Sequence, residues 1–292
     1  MTAIRRLCIV GVGLIGGSLA RDLRALGQCA EVVGTSRNAA HLRRALELGV
    51  IDRYETRVEA AVEGADMIVV CCPLGAVRSV FGALAGHLAA DAVITDVGSA
   101  KGDVVNAARA VFGELPARLV PGHPIAGNEH SGVDASIRGL FAAHRVILTP
   151  LPDTDPEALA RVRAMWQAVG SEVLEMDVEH HDEVLAATSH LPHMLAYTLV
   201  DVLGRMSDRV EIFRYAAGGF RDFTRIASSD PSMWHDVCIA NRDALVQVLE
   251  RFQGDLGTTL EMIRGGDSDG LRKLFERAKR LRDRYARGES AE

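Results

Sequence analysis

A chain of 292 residues is too long for one typical hydrophobic core and suits two domains; with 48% apolar and 25% charged residues it can build large cores and lacks the polar bias of a disordered chain. Lysine and arginine number 33 against 39 aspartates and glutamates, a net charge of −6, so nonspecific binding to nucleic-acid phosphate is not expected. No apolar run approaches the roughly 18 residues needed to cross a bilayer, so no membrane partner is expected either.

The opening stretch MTAIRRLCIVGVG leads into a glycine loop with no small-residue cleavage site, and reads as a first β-strand rather than an export signal. The cysteines, at 8, 29, 71, 72 and 238, are odd in number and fit no zinc spacing. They read as buried free thiols in a reducing cytoplasm.

Short β-branched runs then alternate with helical patterns over residues 5–150. LCIVG is followed by a helix near 15–27 and EVVGT by one near 38–48. DMIVVCCP, AVITDV and RLVPGHP each follow a helix-like segment, and RVILTP and EVLEMD flank a helix near 156–169. Near-continuous apolar strands separated by helices imply a parallel sheet covered on both faces. Beyond Asp177 strand signals stop, and 178–205, 231–254, 255–265 and 268–287 read as helices, with Asp230-Pro231 as a cap and first-turn proline. On the last helix Leu271, Leu274, Phe275, Ala278 and Leu281 form one apolar stripe, and the charges form a solvated face. The fold class is therefore α/β: a Rossmann-type, mostly parallel sheet domain over 1–176, then an all-α domain over 177–292.

Gly11-Val12-Gly13-Leu14-Ile15-Gly16 joins the first strand to the first helix, the context a dinucleotide fingerprint requires. Gly11 permits the tight turn, Gly13 lets backbone approach a pyrophosphate, and Gly16 allows close helix–strand packing. The second strand ends in Ser36-Arg37 where an NAD enzyme usually offers a carboxylate. Without the acid a 2′-phosphate is not repelled, and Arg37 can pair with it. Pro73, which closes the DMIVVCCP run, joins the expected cofactor-binding residues. NAD or NADP is the expected cofactor, with NADP use suspected from Ser36-Arg37.

Four further motifs occur in order: Thr95-Asp96-Val97-Gly98-Ser99-Ala100-Lys101, His123-Pro124-Ile125-Ala126-Gly127, His190-Leu191-Pro192-His193 and Gly218-Gly219-Phe220-Arg221-Asp222-Phe223-Thr224-Arg225-Ile226-Ala227, the last leading to Trp234. From Gly11 to Trp234 the chain resembles the prephenate/arogenate dehydrogenases of tyrosine biosynthesis. That resemblance implies oxidative decarboxylation of prephenate to 4-hydroxyphenylpyruvate, or of arogenate to tyrosine. It also implies a helical substrate half that forms a homodimer. By the same resemblance His123 accepts the substrate's hydroxyl proton, a task suited to a neutral imidazole, and Ser99 holds the hydroxyl and orients His123. On its own terms Ser99 also reads as a cap for the helix that follows. Arg225 would bind a substrate carboxylate, with Arg221 structural. His193, Trp234, Asn128 and Glu129 would line the pocket, His190 being the lesser candidate.

The histidines at 180, 181, 190 and 193 invite a metal reading, but Pro192 disturbs the helix between the last two and hydride transfer to nicotinamide needs no metal; none is expected. Other two-domain dehydrogenases, such as β-hydroxyacid dehydrogenases or imine reductases, would carry a catalytic lysine or a different glycine string in the helical half. A cofactor-binding sensor would bind without turnover.

Overall fold

The computed structural model describes residues 4–206 and 213–288. Two compact units divide at Ala244 and Leu245. In the first unit β1 (Ile4–Val10), α1 (Leu14–Ala25), β2 (Cys29–Thr35), α2 (Ala39–Glu47), β3 (Arg53–Glu55), α3 (Val58–Ala61), β4 (Met67–Val70), α4 (Val77–Leu84), β5 (Val93–Asp96), α5 (Lys101–Phe112) and β6 (Leu119–Val120) build a six-stranded sheet with its covering helices. Strand order is β3-β2-β1-β4-β5-β6, and every pairing is parallel. This is the doubly wound order, in which ligands bind beyond the carboxyl ends of the strands where the order reverses, here between β1 and β4. Leu7 and Ile9 face one core while Cys8 and Val10 face another, so both faces of β1 are covered, as the apolar runs require.

The RLVPGHP run, expected as one strand, is split. Pro121 lies between β6 and β7 (Gly122–Pro124), and β7 leaves the large sheet. β7 pairs antiparallel with β8 (Arg145–Leu148); α6 (Pro156–Ala168) follows, and β9 (Glu172–Glu175) pairs parallel with β8. Proline cannot donate to a ladder, and the backbone turns from one sheet to the other at this residue.

Behind β9 the unit is helical: α7 (Val178–Leu185), α8 (Leu191–Arg205), α9 (Gly218–Thr224) and α10 (Pro231–Ala240). Asp230 caps α10 by accepting from Ser232 N at 2.8 Å, as Asp230-Pro231 predicts. The helix break expected at Pro192 is a π-helical turn, Ala186–His190, that runs directly into α8. Proline is tolerated there because it sits in the first turn of α8.

The expected break near 254 is absent, for α11 (Arg242–Gly265) is continuous. The chain breaks at Asn241 instead, whose side chain donates to the Asp182 carbonyl at 2.8 Å. The second unit, described by itself, holds the rest of α11 and α12 (Ser268–Ala286), with Leu256, Leu260, Ile263, Phe275 and Leu281 exposed. All five cysteines are free; only Cys8 is fully buried, the other four being half-buried rather than buried as expected.

Candidate active site

The site starts at the glycine loop. Gly11 has φ +102°, and a Cβ there would lie 2.6 Å from the Cys71 carbonyl oxygen; one on Gly16 would lie 2.5 Å from Gly11 O. Both positions therefore need glycine. At Gly13 a Cβ would meet nothing within 4 Å, and this residue caps α1 without a side-chain bond. Open space in front of uncapped helix amides, at the sheet's switch point, fits a pyrophosphate. Val12 and Leu14 are buried beneath this turn and Ile15 packs against the core, so their contribution is through backbone and shape. Ser36 Oγ accepts from Asn38 N at 3.2 Å, and Asn38 caps α2. Arg37 is exposed, yet its charge acts on Cys72 at the end of β4, on the same crevice. Burial and Asp96 push the Cys72 thiol up to about 12. Pro73 is exposed and opens the 3₁₀ turn Leu74–Ala76.

Beyond β5, Ser99 is half-buried. It is not the cap of α5. Ala100 occupies the cap position with no side-chain bond, and Asp182, from α7, caps from a distance. Its two oxygens accept from Lys101 N at 2.7 Å and Gly102 N at 2.8 Å. Lys101 is fully buried and pairs with Asp96, while its Nζ also donates to Gly122 O at 2.7 Å. Asp96 accepts in turn from Gly98 N at 2.7 Å and Gly122 N at 3.2 Å. One buried ion pair thus ties the Ser99 loop to the strand that carries His123.

His123 lies in β7, 8% exposed, with Nδ1 2.9 Å from His181 Nε2. His181 Nδ1 lies 2.8 Å from Asp182 Oδ1. Burial holds the His123 pKa well below the usual histidine value, and His181, Lys101 and His190 lower it further. Burial also lowers His181, against the raising effect of its Asp182 bond. Burial alone would raise the Asp182 carboxyl, but the bonds from His181, Lys101 N and Gly102 N outweigh it and leave the pKa low. Near neutral pH the cluster is two neutral imidazoles beside one carboxylate.

His190 accepts from Asn241 Nδ2 through its Nδ1 at 3.1 Å. Its Nε2 makes no well-formed hydrogen bond, although the Ser99 backbone acts on it. Burial takes its pKa down to about 4. His193 stacks on Trp234 with ring centroids 3.6 Å apart and planes 21° apart. Its Nδ1 donates to Ser189 O at 2.9 Å, a carbonyl of the π turn, and burial and the nearby Arg225 charge lower its pKa. Trp234 is buried, and its Nε1 has no partner. Arg225, in the 3₁₀ turn after α9, reaches Glu129 at 3.4 Å with its side chain 63% exposed. Asn128 is exposed and closes a local turn by accepting from His130 N at 2.9 Å.

The residues singled out in the sequence thus fall into two linked groups. His123 joins His181 and Asp182, while His193 stacks on Trp234 and feels the charge of Arg225, which reaches Glu129, and His190 lies between, beside Ser99 and 6.1 Å from Trp234. Sequence reasoning gave no role to His181, Asp182, Lys101, Asp96 or Asn241. The only signal for the first two was the His180-His181-Asp182 string three residues beyond Asp177, whose side chain caps α7 by accepting from His180 N at 2.8 Å.

Two family models match in tandem: the nucleotide-binding domain of prephenate dehydrogenase over residues 19–175, and its dimerization domain over residues 177–277. A cyclohexadienyl dehydrogenase of Zymomonas mobilis is 38% identical over 97% of this chain and 96% of its own. A crystal structure of prephenate dehydrogenase from A. aeolicus, in complex with hydroxyphenyl propionate and NAD+, superposes with a TM-score of 0.88 at 38% identity, covering 96% of this chain and 98% of that one. That of Synechocystis arogenate dehydrogenase superposes with a TM-score of 0.80 at 29% identity, covering 96% and 99%. Together with a doubly wound nucleotide-binding sheet and a buried neutral histidine near its crevice, these likenesses establish that the chain belongs to the prephenate dehydrogenase family and is an NAD(P)-dependent oxidoreductase.

Proposed function

We propose that the enzyme oxidatively decarboxylates prephenate to 4-hydroxyphenylpyruvate in L-tyrosine biosynthesis, with arogenate as the alternative substrate. The observation that carries the reading is His123: a buried, neutral imidazole whose Nδ1 is engaged by His181, leaving Nε2 to meet a substrate proton.

A bound nicotinamide supplies the hydride acceptor. The residues of this chain manage the proton and the charges. As hydride leaves the ring carbon, the carbonyl that develops sheds its hydroxyl proton to Nε2 of His123. When carbon dioxide departs, its bonding electrons make the ring aromatic and the ring oxygen takes the proton back. His123 is restored, and the overall step neither consumes nor releases a proton. We place Ser99 on the substrate hydroxyl, Arg225 on a substrate carboxylate, and His193 with Trp234 as a pocket wall, with Glu129 and Asn128 at the rim. Gly11, Val12, Gly13, Leu14, Ile15, Gly16 and Pro73 hold the dinucleotide, and Arg37 with Ser36 admits a 2′-phosphate.

We further assign the nucleotide-binding half to 1–176 and the substrate half to 177–292. The second half would pair with another copy, giving a cytoplasmic homodimer. Exposed Leu256, Leu260, Ile263, Phe275 and Leu281 support the pairing, since such a cluster on a water-facing surface is costly. The deciding experiment is a steady-state assay of purified protein with prephenate and arogenate, each against NAD and NADP. Prephenate-dependent reduction of nicotinamide is expected; none with either substrate would overturn the reading.

A further inference from the structure

We propose that His181 and Asp182 are positioning residues that fix the tautomer of His123, so that its reactive nitrogen is always the bare one. The inference rests on the role given to His123 above, and it follows from which atoms can donate.

An ionised carboxylate only accepts hydrogen bonds. Asp182 Oδ1, 2.8 Å from His181 Nδ1, therefore requires the proton of neutral His181 to sit on Nδ1. His181 Nε2 is then an acceptor. Its neighbour 2.9 Å away, His123 Nδ1, must be the donor, and neutral His123 carries no proton on Nε2. In water the opposite tautomer of histidine, protonated at Nε2, predominates, and a ring in that form cannot take a proton at Nε2. The choice of tautomer is set by the bond made by the other ring nitrogen, and here that bond is set two residues away from the reacting atom.

Asp182 is suited to anchor such a chain. It is held by Lys101 N and Gly102 N through both oxygens, and its backbone carbonyl by Asn241 Nδ2. It can neither rotate to offer another oxygen without uncapping α5, nor gain a proton easily, since its pKa is low. The charged and titratable groups around His123 come from three further elements: Asp96 from β5, Lys101 from α5 and His190 from the π turn. Lys101 bonds to Asp96 and Gly122 O, and His190 to Asn241, so within this network His181 is the group bonded to the His123 ring. The two rings also meet edge to face, with centroids 5.2 Å apart at 61°, which limits rotation of His123.

The test uses full-length protein with 15N-labelled histidine at a pH where both imidazoles are neutral and Asp182 is ionised. The signals of His123 are assigned by their loss in His123→Asn. The expected spectrum shows the His123 proton on Nδ1 and a bare Nε2; a proton on Nε2 in the parent protein overturns the proposal. In His181→Leu the preference should be lost, and kcat for prephenate should fall about 10–100-fold with little change in KM, by analogy with the loss of groups that orient metal-binding histidines through their other nitrogen. His181→Gln offers an amide oxygen to His123 Nδ1 and an amide N–H to Asp182, so it should keep both the tautomer and most of the turnover. A Gln variant as impaired as the Leu variant, with the His123 tautomer unchanged in both, would also overturn it. If His181→Leu does not fold, the parent spectrum and the Gln variant still decide. The tautomer is read without substrate, so a protein that shows Nδ1-protonated His123 but no turnover of prephenate or arogenate would defeat the functional reading and leave the tautomer assignment standing.

Discussion

Lys101 Nζ donates to the carbonyl oxygen of Gly122, one residue before His123, while the same ammonium pairs with Asp96 at the end of β5. A charged pair this deep is tolerated because its remaining bonding capacity is used on Gly98 N, Gly122 N and Gly122 O. Lys101→Met should strand the Asp96 carboxylate and lower stability by roughly 3–5 kcal/mol, the cost of removing one partner of a buried pair. Adding Asp96→Asn should recover part of that loss, since the two residues share one network. Chemical denaturation of the single and double variants measures both effects. A Lys101→Met protein as stable as the parent would mean that the pair does not organise the site.

Arg37 lies on the crevice edge, close enough for its charge to act on Cys72 across the glycine loop. Arg37→Ala should raise KM for NADP more than KM for NAD, because only the former carries the 2′-phosphate that a guanidinium can grip. Steady-state kinetics with both cofactors reads this, and equal effects would remove Arg37 from phosphate recognition.

The nucleotide-binding half was legible because its signals are local. Apolar runs, a glycine string and cap residues such as Asp230 each act within a few positions of themselves. Where the outcome depended on a distant partner, the sequence could mislead. Ser99 reads as a natural cap for α5, yet Asp182 does the capping from 80 residues away. The helical patterns 231–254 and 255–265 read as separate helices, yet α11 runs through their junction, and the chain breaks at Asn241, whose side chain is held by Asp182 and His190. Pro121 was visible, but its consequence, the transfer of His123 to a second sheet, depends on pairing with β8. His123, His193 and Arg225 were singled out through motif resemblance. His181 escaped because its role exists only through the ring it touches.

Arg225 is mostly exposed, and its contact with Glu129 is long at 3.4 Å, so that pair contributes little to stability. A substrate carboxylate in its place would form a shorter, drier bond. Arg225→Ala should therefore leave the unfolding midpoint nearly unchanged and raise KM for prephenate about 10–150-fold, corresponding to about 1.5–3 kcal/mol for a hydrogen bond to a charged group. Cofactor affinity should hardly move. Collapse of NAD(P) binding in this variant, measured by fluorescence titration, would point to a structural role instead.

His190 is fully buried and its pKa is down to about 4 from the ordinary histidine value of about 6.5, chiefly through burial. Between these values the unfolded chain binds the proton and the folded chain does not, so stability rises with pH through this window. The contribution is fully present above pH 6.5 and is lost as pH falls towards 4, on the order of 3 kcal/mol in all. Folding stability measured across that interval should fall with acid, and His190→Gln should flatten the slope. An unchanged slope in the variant would contradict the assignment.

His123 gives the most direct test of the chemistry. Its pKa lies well below the ordinary histidine value because burial and the neighbouring His181, Lys101 and His190 all disfavour the charged ring. The neutral, proton-accepting form therefore persists below pH 6.5, and kcat/KM should stay level through mildly acidic pH before falling with a single ionisation. His123→Asn keeps a donor that can reach His181 Nε2, so the fold and the binding of cofactor and substrate should survive. Asparagine cannot take the hydroxyl proton, so kcat should drop by something like the 10²–10⁴-fold typical of lost acid–base groups. The acid limb should disappear from the residual activity. A structural histidine would behave in the opposite way, with weakened folding and binding and an unaltered pH profile in what activity remains. A His123→Asn enzyme that folds normally and turns over prephenate at close to the parent rate would exclude His123 as the base, and the tautomer held by His181 and Asp182 would then have no catalytic purpose.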